Sequence, residues 1–359
     1  MTSRTATFAS VAAQADNLGD AELRAVAVAM LDAPGTDLHV YTGGMPGGYL
    51  RCLELPAGVL THRRRLTFAT ALLRNAARRP VNFVLSPGPY VVPRGASVAK
   101  SWLLLALVLL VRARGGAVLA LGRAVHTGGR TAPLPERLVA RRTRIFVVRD
   151  ASSALAFGEP ALELMPDLAL AVDRRPPDDG PREDVVISLR GDKAVSGELA
   201  ATLAEQIRAA GFTPVFVTQV MRDDELHARL AEQTGADAIL WGSNDHDVQL
   251  ERVRAALSRA AWVVTDRLHA AIFGLQCGAA PVAVVGDPGK DKVVKCLDRL
   301  LPLPQVSRTG PTLLSEVFDD VRRKEALTAA GRARGDLLEL STRVRTAVSP
   351  EPEIGGTRD

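Results

Sequence analysis

Short apolar segments and amphipathic helical segments alternate along almost the whole chain. The apolar segments are four to six residues long, which suits buried strands, and the helical segments between them are long enough to recross a sheet. Strands joined in this way pair in parallel, because a parallel connection needs a crossover of a dozen or more residues. The alternation therefore predicts parallel sheets with helices on both faces, as in a doubly wound α/β fold.

The individual segments can be placed from their periodicity and from the glycine, proline and polar residues that bound them. The predicted strands cover residues 7–12, 38–41, 81–85, 117–121 and 145–148 in the first half, and 185–189, 214–218, 238–241, 262–265 and 282–285 in the second. The predicted helices cover residues 20–31, 65–77 and 101–114, and then 197–210, 223–234, 248–260 and 268–276.

The alternation is interrupted near the middle of the chain. Residues 173–184, DRRPPDDGPRED, contain prolines, a glycine and mixed charges but no side chain that could anchor a core. A chain of 359 residues also exceeds what one core usually serves. We therefore expect two Rossmann-like doubly wound domains that face a cleft. The predicted units are an N-terminal domain at 1–172, a linker at 173–184, a C-terminal domain at 185–310, a helical segment at 311–348 and a flexible tail at 349–359.

Composition argues against several classes of protein. Aromatic residues make up only 4% of the chain and the basic residues are spread out, so we expect no nucleic-acid partner. The cysteines, Cys52, Cys277 and Cys296, are too few and too scattered for a disulfide framework or a zinc site, and they suit a reducing cytoplasm. A net charge of +5 fits a protein that handles small anions or works near an acidic surface.

The sequence predicts a cytoplasmic protein with at most peripheral contact with a membrane. The N-terminal segment lacks the pattern of a signal peptide. The longest apolar run, residues 102–111, is about half the length of a bilayer-spanning helix, and we expect a buried helix there, with a membrane-surface helix as the alternative. The cluster at residues 62–65, HRRR, is interpreted as a solvated helix start rather than a lipid-phosphate patch. The basic balance still allows contact with the inner face of a membrane.

The stretch 263–275, VVTDRLHAAIFGL, places three polar residues between a predicted strand and a predicted helix. In a parallel sheet, ligands bind beyond the carboxyl ends of the strands, against the helices that follow. The helix start carries partial positive charge, to which Arg267 adds a cation, so we expect an anionic ligand near Asp266, Arg267 and His269. The structural alternative is that Asp266 caps the helix, Arg267 is solvated and His269 is a core histidine.

Other polar residues also follow predicted strands, and each has a structural alternative. For the residues after the first strand, the alternative is a βα turn with Asp20 as its helix cap. For Arg149 and Asp150 it is a local ion pair, and for Arg190 it is an interdomain ion pair. For Lys290 and Lys292 it is a solvated loop. We expect the loop histidines, His126 and His246, to lie at the surface. The candidate site residues are Asn17, Gly19 and Asp20 after the first strand, Arg149 and Asp150 after residues 145–148, Arg190 after 185–189, and Lys290 and Lys292 after 282–285.

Five stretches in order along the chain carry a resemblance to a known family. Residues 266–270 (DRLHA) are followed by 272–275 (IFGL), Gly278 and Pro281, and this run resembles the C-terminal signature of the polysaccharide pyruvyl transferase family. Residues 17–20 (NLGD), 148–153 (VRDASS), 166–169 (PDLA) and 187–190 (ISLR) resemble further family segments. The resemblance spans residues 17 to about 300, and Lys292 holds the position of a family-like lysine.

The resemblance implies a GT-B arrangement and transfer of a pyruvyl group from phosphoenolpyruvate to a sugar, as a cyclic ketal with release of phosphate. Arg267, with Arg190 or Arg149, would oppose the anionic donor, and His269 would supply a proton. These cations make a metal cofactor unnecessary.

The acceptor would be a sugar or a lipid-linked oligosaccharide, held from the N-terminal side by Asn17 and Asp20. Residues 85–90, LSPGPY, depart from the glycine-rich segment that family members carry. Two alternatives stay open. One is a GT-B glycosyltransferase that uses a nucleotide sugar, for which no clear acidic pair is present, and the other is a non-catalytic carbohydrate-binding relative.

Overall fold

Two parallel sheets organise the chain. The computed structural model describes residues 4–128, 131–158, 162–177, 180–193, 195–286, 291–301, 303–308 and 314–350. The strands of the first sheet are β1 (Thr5–Ser10), β2 (Thr36–Tyr41), β3 (Leu60–His62), β4 (Val81–Leu85), β5 (Gly88–Val91), β6 (Val118–His126), β7 (Ile145–Val148) and β8 (Glu163–Leu164). Those of the second sheet are β9 (Asp184–Ser188), β10 (Thr213–Val217), β11 (Asp237–Ile239), β12 (Ala260–Thr265), β13 (Ala280–Val285) and β14 (Gln305–Ser307).

Helices connect the strands and cover both faces of each sheet. Short 3-10 turns lie at Gly95–Ser97, Leu168–Ala171, Met221–Asp223 and Leu314–Glu316. The helices within the described ranges are α1 (Leu18–Leu31), α2 (Gly47–Cys52), α3 (Arg65–Arg78), α4 (Val98–Ala113), α5 (Leu134–Arg142), α6 (Ala151–Leu155), α7 (Gly197–Ala209), α8 (Asp224–Thr234), α9 (His246–Arg259), α10 (Leu268–Cys277), α11 (Lys292–Leu297) and α12 (Asp320–Val348).

The strand orders confirm the predicted doubly wound architecture. The first sheet runs β3-β2-β1-β4-β6-β7-β8, with β5 paired to β6, and the second runs β11-β10-β9-β12-β13-β14. In each sheet the chain starts at an inner strand, builds outward on one side and then crosses to the other. The switch points therefore lie between β1 and β4 and between β9 and β12, where the loops diverge and leave a crevice at the carboxyl ends of the strands.

The apolar run at residues 102–111 is not the buried helix expected from the sequence. It forms part of α4, which packs on the first sheet through Ser101, Leu105, Val108 and Val111. The stretch Gly95–Ala113 has the length and apolar composition of a membrane-spanning helix, and only 22% of its most apolar part is buried in the protein. Much of this apolar surface faces outward, because a helix on the face of a sheet can cover only one of its own sides.

The last helix, α12, returns to the first sheet although it follows the second sheet in sequence. The carbonyl oxygen of Val348 accepts hydrogen bonds from Thr5 Oγ1 and from Asn82 Nδ2, both at 2.9 Å. These donors are buried, so the end of α12 supplies a hydrogen-bond acceptor to polar side chains of the first sheet. The domain limits expected from the sequence remain a prediction, and residues 351–359 of the expected tail lie outside the described residues.

Candidate functional site

A cleft of about 420 Å³ lies between the carboxyl edges of the two sheets, in the volume range of small-molecule sites. The first sheet contributes the loops after β1 and β7, part of β5 and the end of β6, and the second contributes the loops after β9, β10, β12 and β13. Most of the positions after strands that the sequence singled out therefore border this one cleft. The residues predicted from the sequence that line this cleft are Asn17, Asp20, Arg149, Arg190, Asp266, Arg267, His269 and Lys292.

Asp266 does not cap α10, so that structural alternative is wrong. Its Oδ1 accepts a hydrogen bond from the backbone N–H of Arg190 at 2.9 Å, and its Oδ2 accepts one from Arg308 at 2.5 Å. Burial raises the pKa of Asp266, while the Arg308 guanidinium and the Lys193 ammonium act in the opposite direction. Asp266 thus holds the loop after β9 and the segment after β14 against the start of α10.

Arg267 is also not a solvated side chain. Its Nε and Nη2 donate to the two carboxylate oxygens of Asp223 at 2.8 and 2.5 Å, in the bidentate geometry that guanidinium groups favour. Asp223 is fully buried and also accepts from the N–H of Gly191 at 2.8 Å. This carboxylate, which we did not single out from the sequence, fixes the direction of Arg267 at the wall of the cleft.

His269 belongs to the second sheet but faces residues of the first. Its Nε2 lies 3.9 Å from Oδ2 of Asp167 and has no hydrogen-bond partner among the residues the structure describes. The same Asp167 oxygen accepts a hydrogen bond from Arg149 at 2.7 Å. Burial lowers the pKa of His269 below its usual 6.5, with Asp167 opposing this effect, so the imidazole is neutral at neutral pH in the free protein.

Gly19, at the start of α1 after the first sheet's β1, packs directly against His269, at the start of α10 after the second sheet's β12. A Cβ atom built on Gly19 would overlap Cβ, Cγ and Nδ1 of the histidine, so any side chain here would displace the ring. Gly19 does not line the cleft itself, and its contribution is the close approach of backbone to imidazole that only glycine permits.

We expect Gly19→Ala to reduce turnover about tenfold, because the new methyl group moves His269 from its position beside Asp167. Gly44→Ala is the matched control, since a Cβ at Gly44 would meet no atom within 4 Å. Steady-state kinetics and melting temperatures of the two variants provide the measurement. Equal activity of Gly19→Ala and the wild type would show that the position of His269 is not important.

The turn after β1 is fastened to the second sheet. Asn17 caps α1, since its Oδ1 accepts from the N–H of Gly19 at 3.1 Å, and the structural alternative in which Asp20 is this cap is wrong. The side-chain amides of Asn17 and Gln219 are in contact at 2.7 Å across the cleft. Asp20 instead accepts a hydrogen bond from Arg24 at 3.3 Å and lines the cleft beside Asn17.

Asp150 plays a local structural part. It caps α6 by accepting from the N–H of Ser153 at 2.8 Å, and it also accepts from the hydroxyls of Ser152 and Ser153. Both of its carboxylate oxygens are engaged in this way, and it does not line the cleft. The structure therefore brings Arg149 but not Asp150 to the site.

Lys292 is a cleft cation for which the described residues supply no acidic partner. It lines the cleft at the start of α11 and makes no ion pair with any residue within the described ranges. Desolvation, followed by the positive charges of Arg149, Arg190 and Arg267, lowers the pKa of Lys292. Mutual repulsion of cations in one cleft costs free energy that a bound anion would offset. The second candidate lysine, Lys290, lies outside the described residues.

Arg190 and the loop histidines depart from expectation in different ways. Arg190 pairs with Asp192, two residues along, at 2.6 Å rather than with a carboxylate of the other domain. His126 is exposed as predicted, but it lines the cleft. His246 is buried, and its Nε2 lies 2.6 Å from the carbonyl oxygen of Ala15 in the first half, so the surface prediction is wrong.

Comparison with known proteins gives a family and a fold. A family model described as polysaccharide pyruvyl transferase matches residues 96–288, more than half of the chain. No curated protein matches the sequence.

Two solved structures superpose over most of the chain. UDP-GlcNAc 2-epimerase from Neisseria meningitidis, bound to UDP-GlcNAc, shares 9% identity, with 97% of this chain and 94% of that one covered and a TM-score of 0.52. Anabaena Alr3699/HepE in complex with UDP shares 11% identity, with 95% and 97% covered and a TM-score of 0.53. At these identities the similarity establishes only the fold, two facing α/β units of the GT-B type.

Proposed function

Because the chain belongs to the polysaccharide pyruvyl transferase family, we propose that it moves the pyruvyl group of phosphoenolpyruvate onto two hydroxyls of a sugar. The products are a cyclic ketal and inorganic phosphate. The observation that carries this proposal is the position of Lys292, which has no acidic partner among the described residues and shares the cleft with four arginines and a buried histidine.

The donor would lie against the second sheet. Phosphoenolpyruvate carries a carboxylate and a phosphate, and it needs several hydrogen-bond donors of fixed direction. Arg267, held by Asp223, and Lys292, at the start of α11, supply two cations on that side, and Arg190 lies beside them. Arg149 reaches the same space from the first sheet, so closure around the donor would involve both halves of the chain.

His269 would supply the proton that starts the reaction. Its protonation of the methylene carbon converts the enol phosphate into a cation-like centre at the adjacent carbon, which one sugar hydroxyl attacks with loss of its own proton. Loss of phosphate regenerates the cation-like centre, and the second hydroxyl closes the ketal and releases its proton. His269 is neutral in the free cleft, so the negative charge of the donor must raise its pKa before it can act as an acid.

The acceptor would occupy the side of the first sheet. Asn17 and Asp20 offer polar atoms for sugar hydroxyls after β1, while Pro89 and Val91 offer apolar surface after β4. Pro89 lies within the segment that departs from the family's glycine-rich pattern, and Val91 directly follows it. The shape of this wall therefore bears on which sugar is accepted.

A nucleotide-sugar glycosyltransferase is the main alternative, since the superposing structures hold UDP or UDP-GlcNAc. Two carboxylates of the second sheet that could have held a ribose are already engaged. Asp223 binds Arg267, and Asp266 binds Arg308. Neither carboxylate is free to accept a ribose hydroxyl, which favours phosphoenolpyruvate over a nucleotide sugar.

The assay that tests the proposal uses the purified chain, phosphoenolpyruvate and a panel of free, nucleotide-linked and lipid-linked sugars. We expect phosphate release that requires an acceptor, together with an acceptor whose mass increases by pyruvate less water. His269→Ala protein, prepared in parallel, corrects for contaminating phosphatase. Release of nucleotide from a nucleotide sugar would support the glycosyltransferase. The absence of phosphate release, nucleotide release and product with every acceptor would support a binding protein.

A further inference from the structure

One long segment of the chain contains no acidic residue. The 81 residues from Leu55 to Pro135 carry twelve Lys or Arg and no Asp or Glu. The rest of the chain holds 33 basic and 40 acidic residues, so it is acidic overall. This segment includes α3 and α4, which lie next to each other on one face of the first sheet.

The outer side of α4 is entirely apolar. At 100° per residue, Ala99, Trp102, Leu103, Ala106, Leu109, Leu110 and Ala113 cover an arc of roughly 120° on the helix surface. All seven are exposed, with Trp102 at 50% and Leu103 at 73%. A continuous exposed stripe of this kind marks an interaction surface rather than scattered surface hydrophobicity.

The stripe continues onto α3. Arg114, just after α4, donates to the carbonyl oxygens of Ala76 and Ala77 near the end of α3, at 2.8 and 3.1 Å, so the C-terminal ends of the two helices meet. On the outer side of α3, Leu66 is 80% exposed and Leu73 is 54% exposed.

Exposed cations surround this apolar surface. Arg74 and Arg78 lie on α3, and Lys100 and Arg112 lie near the two ends of α4. The cluster at residues 62–65, HRRR, runs into the start of α3. An apolar surface with a basic border and a tryptophan at its edge matches the interfacial zone of a bilayer, where tryptophan and acidic headgroups meet. We propose that the outer face of α3 and α4 docks on a lipid bilayer that contains anionic lipid.

The helix α4 lies on the bilayer in this proposal and does not cross it. Leu105, Val108 and Val111 are buried in the core of the first sheet, so insertion of the whole helix would uncover that core. Each docked apolar side chain stabilises the bound state by leaving water, and each nearby cation adds electrostatic attraction to the anionic lipid.

The docking face adjoins the cleft. Since α4 joins β5 to β6, and these strands are parallel, α4 begins at the carboxyl edge where Pro89 and Val91 line the cleft. An acceptor anchored in the bilayer could therefore reach the first-sheet side of the site. This last step rests on the proposed function, whereas the docking itself does not.

The test is co-sedimentation of the full chain with vesicles, once with phosphatidylcholine alone and once with an equimolar mixture of phosphatidylcholine and phosphatidylglycerol. We expect binding to the mixed vesicles that falls with added salt, and weak binding to the neutral ones. The tryptophan fluorescence should shift to the blue on binding, as Trp102 leaves water. The shift can be assigned to Trp102, because Trp241 and Trp262 are already buried in the free protein. Leu103→Glu should weaken binding about tenfold or more, since it places a charge in the apolar stripe.

Leu338→Glu is the matched control. Leu338 is 60% exposed on α12, a helix that packs on the opposite face of the first sheet, and its replacement should leave vesicle binding unchanged. Equal losses in the two variants, or absence of binding to mixed vesicles, would overturn the proposal. So would a soluble dimer of the wild type that Leu103→Glu converts to a monomer, because the stripe would then be a protein interface. None of these measurements depends on pyruvyl transfer.

Discussion

Replacement of His269 by alanine is expected to lower turnover about a hundredfold or more while phosphoenolpyruvate still binds with nearly unchanged affinity. The imidazole is buried between Gly19 and Asp167, and its Nε2 has no hydrogen-bond partner among the described residues. A buried polar atom without a partner costs stability, so its loss should not unfold the chain. Phosphate-release kinetics, calorimetric titration with phosphoenolpyruvate and a melting curve measure the three quantities separately.

The pH dependence gives a second and independent readout of the same residue. Burial lowers the pKa of His269, so the protonated form of the free protein decreases as the pH rises through that lowered value. We expect kcat/KM to fall over this range, and kcat to fall only at higher pH, because the bound anion raises the pKa in the complex. His269→Ala should lack both decreases. A fully active, normally folded His269→Ala protein would end the catalytic assignment.

Local pattern was enough to predict most strands and most helices, because alternation of apolar runs is a property of contiguous residues. The strand at Val81–Leu85 and the one at Ile145–Val148 have the predicted bounds. Pattern failed for short elements such as β3, β5 and α11, which are too brief to show a period. The packing of α12 on the first sheet was also missed, since it depends on contacts more than 260 residues apart.

The site was predicted as a set of positions after strands, but its pairings could not be. Arg267 follows β12, whereas its partner Asp223 follows β10. The two meet because β10 and β12 flank β9 in the sheet, so that the residues after both strands lie at the same edge. An Arg267→Lys change would therefore break a buried ion pair as well as any donor contact. It would lower stability and affinity together, which the sequence alone did not indicate.

Lys292→Gln isolates the donor contact more cleanly, and we expect it to weaken phosphoenolpyruvate binding by about ten- to a hundredfold, the range for loss of one charged hydrogen bond. No described carboxylate pairs with Lys292, and desolvation and three arginines lower its pKa, so its charge destabilises the free protein. Removal of that charge should leave the melting temperature unchanged or raise it. Calorimetric titration and thermal unfolding with and without phosphoenolpyruvate measure both effects.

Lys295→Gln is the matched control, because Lys295 lies on the same helix α11 and is exposed, but does not line the cleft. Both substitutions remove one positive charge from the same helix, so they alter the long-range attraction of an anion to a similar degree. Only Lys292 lies where it can touch the donor. A loss of affinity confined to Lys292→Gln therefore indicates direct contact at the start of α11. Equal losses would indicate general attraction by the basic cleft, and unchanged affinity in both variants would contradict the placement of the donor beside the second sheet.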